Sequence, residues 1–170
     1  MIPLREAYYD LQIFLKADYV FREVRRTTLV NIPVNEQTVL SLIDRTYDTD
    51  ATVRKVLYGS TLPKISPRKL SMFQREFIVR KGLGDREPSV KTAARSLIAT
   101  WMHVGVHYPI DGHATKRKVE DEVVSMLKLF DLTQDVAVDA LLSIFTTEIA
   151  VFNNIEFNGQ LVACIFQLVI

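Results

Sequence analysis

The sequence has 170 residues, of which 48% are hydrophobic and 24% charged, and its formal net charge at pH 7 is +1. This composition excludes a disordered or collagen-like chain and favours one compact domain or a series of repeats. The single cysteine excludes a disulfide framework and a thiolate zinc site. No apolar run approaches the roughly 18–20 residues of a membrane helix, and the first residues lack the features of a signal peptide. We therefore expect an intracellular protein with no membrane partner.

Apolar residues recur at helical spacing through most of the chain, as at Leu70, Phe73 and Phe77. No alternating run between turn residues predicts a strand. Gly82-Leu83-Gly84 is expected to end one helix as its C-cap. The predicted helices cover about 4–17, 20–31, 35–47, 50–63, 67–82, 88–103, 114–130, 134–149 and 158–170. The sequence therefore predicts an all-α protein.

One sequence phrase recurs along the chain: an aspartate, four residues, a valine and a basic residue. It occupies Asp48–Arg54 and Asp85–Lys91, and a third copy from Asp18 fits with one extra residue before Val24. The three valines lie 29 and 37 residues apart, near the period of two-helix solenoid repeats. We expect the aspartate to cap the second helix of a pair and the valine to pack between repeats. The basic residue should reach a carboxylate of the preceding repeat.

This phrase resembles a HEAT repeat, and the run from Arg22 to Trp101 is similar to the HEAT-repeat subunit family of condensin, the condensin subunit 3 or CAP-G family. The features that carry the resemblance are the Val-Arg-Arg helix before Asn31-Ile32-Pro33, the Arg45…Asp48…Val53-Arg54 joint, and Lys81-Gly82-Leu83 before Ser89-Val90-Lys91. The resemblance covers about residues 20–157 and is looser from Val138 to Phe157. It implies an α-solenoid of about four stacked antiparallel helix pairs.

The resemblance also implies a function: a non-catalytic scaffold subunit of condensin that acts in mitotic chromosome condensation. The implied partners are the kleisin subunit, the SMC ATPase subunits through kleisin, and double-stranded DNA. Because ATP hydrolysis would belong to the SMC partners, we expect no catalytic residue, no cofactor and no small-molecule substrate. The expected location is the nucleus and chromosomes, with the cytoplasm possible outside mitosis.

The family's subunit is much longer than this chain, so residues 1–170 are expected to form a single HEAT-repeat segment of a longer solenoid. The stretch from Leu161 to Ile170 is almost entirely apolar. A terminal repeat needs a polar outer face. The composition of this stretch therefore agrees with a segment rather than a whole solenoid.

Positive charge is concentrated between Arg22 and Arg95, where 15 Lys and Arg face 8 Asp and Glu, a net charge of +7. Stacked repeats align equivalent helices, so their basic residues should form a ladder that binds DNA phosphates without reading sequence. The candidate DNA-binding residues are Arg25, Arg26, Arg54, Lys55, Arg68, Lys69, Lys91 and Arg95. Alternatively, Arg25, Arg54 and Lys91 pair with aspartates of neighbouring repeats, and the others form solvated helix faces.

Two other functions remain open at this stage. A HEAT-repeat scaffold of another complex, such as a transport or phosphatase adaptor, would share the fold without binding DNA. A HEAT-like DNA glycosylase would need an acidic residue beside aromatic groups, and Trp101 with Asp111 is the pairing that the sequence offers. Trp101 ends an apolar helical face, however, which favours a place in the core.

Histidines recur at His103, His107 and His113, with spacings of four and six residues. Such spacing can indicate a metal site. Gly105 and Pro109 interrupt the helix that the first two would need to share. We therefore expect no metal.

Overall fold

The structure, a computed structural model, describes residues 21–104 and 125–147. Within these ranges it contains no strand, and its α-helices are α1 (Arg22–Asn31), α2 (Glu36–Asp44), α3 (Ala51–Val56), α4 (Met72–Leu83), α5 (Pro88–Val104) and α6 (Asp135–Thr147). Residues 125–127 are also helical. No described helix combines the length and apolar character needed to cross a membrane. The predicted helices at 4–17 and 158–170, and most of the one at 114–130, lie outside the described residues.

Shorter helical turns extend or join these helices. A π-helical turn, Leu57–Thr61, and a 3-10 turn, Leu62–Lys64, continue α3. Two further 3-10 turns, Arg45–Tyr47 and Pro67–Lys69, lie after α2 and before α4. The predicted helices at 35–47 and 50–63 are therefore confirmed as helical segments whose last turns change type.

The chain divides into two compact units. The first comprises Met1–Ile65 and Lys81–Leu97, and the second comprises Ser66–Arg80 and Ile98–Ile170. In the first unit, α1 packs on α3 and its turns. The hydroxyl of Thr61 donates a buried hydrogen bond of 2.9 Å to the carbonyl oxygen of Leu29. Thus α1 and α3, the second helices of two successive repeats, are direct neighbours.

The repeated valines do not all take the predicted position. Val53 and Val90 are completely buried, as expected, but the Val24 side chain is 37% exposed. The prediction for Val24 is therefore wrong. In α1 the buried residues are instead Arg25, Thr28 and Leu29. In α1 the arginine of the phrase is buried, whereas the valine is partly exposed to solvent.

Polar side chains cap two of the first unit's helices. The Asn35 side chain accepts hydrogen bonds from the backbone N–H groups of Gln37 and Thr38 at the start of α2. The Thr38 hydroxyl in turn receives the Asn35 N–H, which completes a capping box. Asp50 caps α3 by accepting from the N–H groups of Thr52 and Val53.

The predicted helix at 67–82 is interrupted, so α4 begins five residues later. The Ser71 hydroxyl accepts a hydrogen bond from the Gln74 N–H, and the Gln74 side chain accepts from the Ser71 N–H. This Ser-x-x-Gln capping box starts a new helix after the buried Leu70. The predicted apolar stripe was wrong at Phe73, whose side chain is 75% exposed.

Gly82, near the end of α4, serves helix packing. The helix ends at Leu83, as predicted, but no glycine in the described ranges has a positive φ. The C-cap role predicted for Gly82-Leu83-Gly84 therefore does not use a left-handed glycine. A methyl group at Gly82 would lie 2.5 Å from the Ala94 Cβ and 2.7 Å from the Tyr58 ring. Gly82 permits this close contact between helices.

The second unit is held together around α6 and Arg75. In α6, which lies within the predicted helix 134–149, Val136, Ala140 and Ile144 are buried at helical spacing. Arg75 donates hydrogen bonds to the carbonyl oxygens of Leu129 at 2.6 Å, Pro67 at 3.0 Å and Leu70 at 2.5 Å. Burial lowers the pKa of this guanidinium. Arg75 therefore links α4 to the turn before it, at Pro67 and Leu70, and to Leu129, which comes after it in the sequence.

Trp101 belongs to the core, as the sequence indicated, since its side chain is only 1% exposed. A base could not stack on a face that is covered in this way. Asp111, its suggested partner in a glycosylase site, lies outside the described residues, as do His107 and His113.

Candidate functional site

Arg25, the first basic residue of the predicted ladder, forms an ion pair with an aspartate. Its Nε and Nη2 atoms donate to the two carboxylate oxygens of Asp48 at 2.8 and 2.9 Å. Arg25 is 5% exposed and Asp48 3% exposed. The Arg45 Nη1 atom lies 3.4 Å from the same carboxylate. Arg25 and Asp48 therefore form a buried, bidentate ion pair.

The second basic residue, Arg54, repeats this geometry one repeat later. Its Nε and Nη2 atoms donate to Asp85 at 2.7 and 2.9 Å. Its Nη1 atom donates to the backbone carbonyl oxygen of Asp48 at 2.7 Å. The hydrogen bond from Arg54 lowers the pKa of the Asp85 carboxyl, and the same bond raises the pKa of Arg54. Arg54 thereby links the two aspartate turns.

These pairs confirm that the ladder arginines bind aspartates of neighbouring repeats, but the predicted direction was wrong. Asp48 lies between α2 and α3, and Asp85 lies between α4 and α5. Each arginine therefore reaches the following repeat rather than the preceding one. The reason is that α1 and α3 lie side by side and run in the same direction, since Arg25 bonds to Asp48 near their starts and Leu29 to Thr61 near their ends. The first turn of α1 is therefore next to the turn that leads into α3.

The aspartates stabilise the turns that precede the second helices. The carboxylate of Asp48 accepts from the Asp50 N–H, and that of Asp85 accepts from the Glu87 N–H, both at 2.9 Å. This is the Asx-turn geometry. The predicted capping role of Asp48 was therefore wrong, because Asp50 caps α3. Asp48 holds the turn and receives the arginine.

A further copy of the phrase, missed by the sequence analysis, begins at Asp131. Its carboxylate accepts from the Thr133 N–H at 3.0 Å, as in the other two turns. Val136 follows after four residues and is buried. The basic position is occupied by Ala137. The signal was present in the sequence as Asp-x4-Val, but the missing basic residue concealed it.

The remaining candidates have side chains that water can reach. In the first unit, Arg26, Lys55 and Arg95 are exposed and Lys91 is partly exposed. In the second unit, Arg68 and Lys69 are exposed within the turn Pro67–Lys69. The geometry thus divides the eight residues into two groups. Arg25 and Arg54 hold aspartates, whereas the other six present their side chains at the surface.

The exposed group differs further in its partners. Arg26 lies 3.0 Å from Glu23 on its own helix, a pair that contributes little in water. Within residues 21–104 and 125–147, no carboxylate pairs with Lys55, Lys91 or Arg95. In the first unit, these three cations are therefore not held by any carboxylate of the described residues.

The Arg54–Asp85 pair predicts a specific acid sensitivity. Because the folded protein lowers the pKa of Asp85 below 3.8, its ionised carboxylate stabilises the fold above that pH. This contribution is lost as the pH falls through the folded pKa. The Asp85→Asn variant should therefore be less stable than the wild type at about pH 7, and the difference should shrink below about pH 4. Urea denaturation across this range measures it. A difference that is constant down to pH 3 would contradict the pairing.

Comparisons with known proteins agree with this geometry. No family model matches the chain. The chain is 31% identical over 155 residues to condensin complex subunit 3 of Schizosaccharomyces pombe. The aligned region covers 89% of this chain and 16% of that protein. It also matches a chain in the crystal structure of the S. pombe condensin Cnd3–Cnd2 subcomplex with a TM-score of 0.74 and 31% identity, over 90% of this chain and 20% of that chain. The chain belongs to the condensin complex subunit 3 family.

Other members of the condensin complex subunit 3 family match less closely. The human protein is 29% identical and the Xenopus laevis protein 28% identical, each over 127 residues. These matches cover 73% of this chain and 11% of each relative. The chain thus spans about a sixth or less of the length of the relatives it matches. The predicted fold class, an all-α HEAT-repeat solenoid, is confirmed by the match to the condensin structure.

Proposed function

We propose that this chain acts as a non-catalytic HEAT-repeat scaffold in condensin, where it binds the kleisin subunit and the DNA backbone during mitotic chromosome condensation. The observation that carries this proposal is the similarity, in sequence and in fold, to the S. pombe Cnd3 chain of the Cnd3–Cnd2 subcomplex. In that structure the relative is assembled with Cnd2, and Cnd2 is the kleisin.

A scaffold in this complex would reach the SMC ATPase subunits through kleisin. It would work in the nucleus on chromosomes, and be present in the cytoplasm outside mitosis. The chain, residues 1–170, would form one HEAT-repeat segment of the solenoid. Family membership favours this function over a transport or phosphatase adaptor.

DNA binding would use the surface cations rather than the paired arginines. Arg25 and Arg54 each donate two guanidinium hydrogen bonds to an aspartate carboxylate. Moving either arginine to a DNA phosphate would leave that buried carboxylate without its partner. Lys55, Lys91 and Arg95 carry no such cost. Arg26 adds positive charge in the first unit, and Arg68 and Lys69 supply it in the second unit. Contacts of this kind recognise phosphate without reading base sequence.

A salt titration tests the DNA contact. The chain, mixed with the kleisin subunit of its own organism, is titrated into labelled random-sequence duplex and followed by fluorescence anisotropy. The logarithm of the affinity should fall linearly with the logarithm of salt concentration. Lys55→Glu combined with Lys91→Glu and Arg95→Glu should reduce the magnitude of that slope by up to about 3, since each phosphate contact contributes about 0.9.

A charge reversal elsewhere provides the matched control. Lys128 is exposed in the second unit and is not among the candidates. Lys128→Glu should leave the slope close to that of the wild type, whereas Lys55→Glu alone should lower it by about 0.9. Absence of affinity even at low salt would remove DNA from the proposal and leave a scaffold that binds protein only.

A further inference from the structure

The exposed side of α2 is acidic and apolar, although it lies in the basic part of the chain. Residues 22–95 have a net charge of +7, but α2 itself contains two carboxylates and no lysine or arginine. Side chains four residues apart share one side of a helix, and the 3-10 turn that follows α2 ends at Tyr47. The exposed residues in this line, which we call the α2 stripe, are Glu36, Leu40, Asp44 and Tyr47.

The two carboxylates of the α2 stripe pair with no cation of the described residues. Glu36 lies in the first turn of α2, where the positive end of the helix dipole favours a negative charge. Asp44 is the last residue of the helix, where the dipole opposes a negative charge, and no basic residue lies in that last turn. The Asp44 carboxylate therefore does not stabilise α2, and its position suits a cation supplied by another molecule.

Two large side chains of the α2 stripe face water beside these carboxylates. Leu40 is 63% exposed and Tyr47 is 60% exposed. Leu40 lies about one helical turn from both Glu36 and Asp44. A single exposed leucine needs no explanation. An apolar side chain between two acids, however, offers a partner a contact that excludes water, with charged groups at its rim.

The Tyr47 ring already contacts a cation of the same unit. The Lys81 ammonium lies 4.3 Å from the ring centroid, which is the geometry of a cation–π interaction. Tyr47 follows Asp44 by three residues, so the ring and the carboxylate lie at the same end of α2. This end of the α2 stripe therefore combines two groups that attract a lysine or arginine side chain.

We propose that the α2 stripe is a docking surface for a basic segment of a partner protein, in which lysine or arginine residues flank an apolar side chain. The apolar side chain packs on Leu40, and the flanking cations pair with Glu36 and Asp44. DNA does not fit this surface, because the two carboxylates repel its phosphates. The α2 stripe uses none of the cations of the proposed DNA contact, so this inference is independent of the proposed function.

Fluorescence anisotropy with a synthetic peptide tests this surface. The complete chain is titrated into a short labelled peptide in which lysines and arginines flank a central leucine. One control peptide has serine in place of the leucine, and another has glutamates in place of the cations. We expect saturable binding of the first peptide that weakens as the salt concentration rises, and weaker binding of both controls. Tighter binding of the glutamate peptide would overturn the proposal.

Substitutions in α2 and α6 locate the binding surface. Leu40→Ala should weaken the binding of the basic peptide about fivefold or more, as at a central apolar contact. Asp44→Asn should weaken it about twofold to fivefold, the effect of one exposed ion pair. In α6, Leu142 is 55% exposed and Asp139 is also exposed, so Leu142→Ala and Asp139→Asn are matched controls that should leave the affinity unchanged. Equal effects of the α2 and α6 substitutions would overturn the proposal.

Two further measurements test other occupants of the α2 stripe. Peptide binding that persists with saturating kleisin subunit supports a separate partner, whereas displacement by kleisin would assign the surface to kleisin and overturn the proposal. Self-association in analytical ultracentrifugation that Leu40→Ala abolishes would assign the surface to a second copy of the chain, and would also overturn it. A chain that binds the basic peptide through α2, but neither kleisin nor DNA, would support this inference while the proposed function fails.

Discussion

Replacing Arg25 with alanine is expected to lower the free energy of unfolding by about 3–5 kcal/mol, because it leaves the buried Asp48 carboxylate without its bidentate partner. Both side chains are almost completely buried, so water cannot replace the lost hydrogen bonds. The effect is measured by urea denaturation at neutral pH. It should be among the largest produced by any single substitution of a charged residue in this chain.

The neighbouring Arg26 gives the matched control for this prediction. Its side chain is about half exposed and pairs with Glu23 on the same helix. Arg26→Ala should therefore change the free energy of unfolding by less than about 1 kcal/mol. If Arg25→Ala and Arg26→Ala have equal effects, the buried pair does not stabilise the repeats as described.

Replacing Gly82 with alanine is expected to destabilise the first unit by about 2 kcal/mol. The new methyl group would overlap the Ala94 Cβ and the Tyr58 ring, and overpacking of a buried site costs about 1–3 kcal/mol. Tyr58 and Ala94 are themselves buried, so neither can move away without disturbing the core. The gain in helix propensity, about 1 kcal/mol, offsets only part of this cost.

Gly59 is the control for the Gly82 prediction. It lies on α3's continuation facing Ala93, but a methyl group there would be 3.9 Å away, an ordinary contact. Gly59→Ala should therefore leave stability unchanged or raise it by up to about 1 kcal/mol. Thermal unfolding of the two variants distinguishes them. Equal melting temperatures for both variants would contradict the close approach at Gly82.

The repeated architecture was predictable because each repeat carries its own local signals. The Asp-x4-Val phrase places an aspartate in the turn and a valine in the interior, and Val53 and Val90 are both buried. Within residues 21–104 and 125–147, hydrophobic spacing also located the helices to within a few residues. The break before α4 was missed because Leu70 and Phe73 share a helical spacing. The capping box between Ser71 and Gln74 overrides that spacing.

Contacts between repeats were harder to predict than the repeats themselves. The sequence shows that Arg25 and Arg54 occupy equivalent positions, but not which aspartate each one meets. That choice depends on the relative direction of neighbouring helices, which a one-dimensional pattern does not contain. For the same reason, the net charge of the basic segment did not show which cations pair with an aspartate, as Arg54 does with Asp85, and which are exposed, as Lys55 is.

Binding to the kleisin subunit tests the central claim most directly. The complete chain is titrated with the kleisin subunit of condensin from the same organism and followed by isothermal titration calorimetry, with Arg25→Ala as a destabilised control. The account predicts saturable one-to-one binding by the wild-type chain, and co-elution of the two proteins in size-exclusion chromatography. A wild-type chain that is folded by circular dichroism, yet gives no binding heat and elutes separately from kleisin, would contradict it.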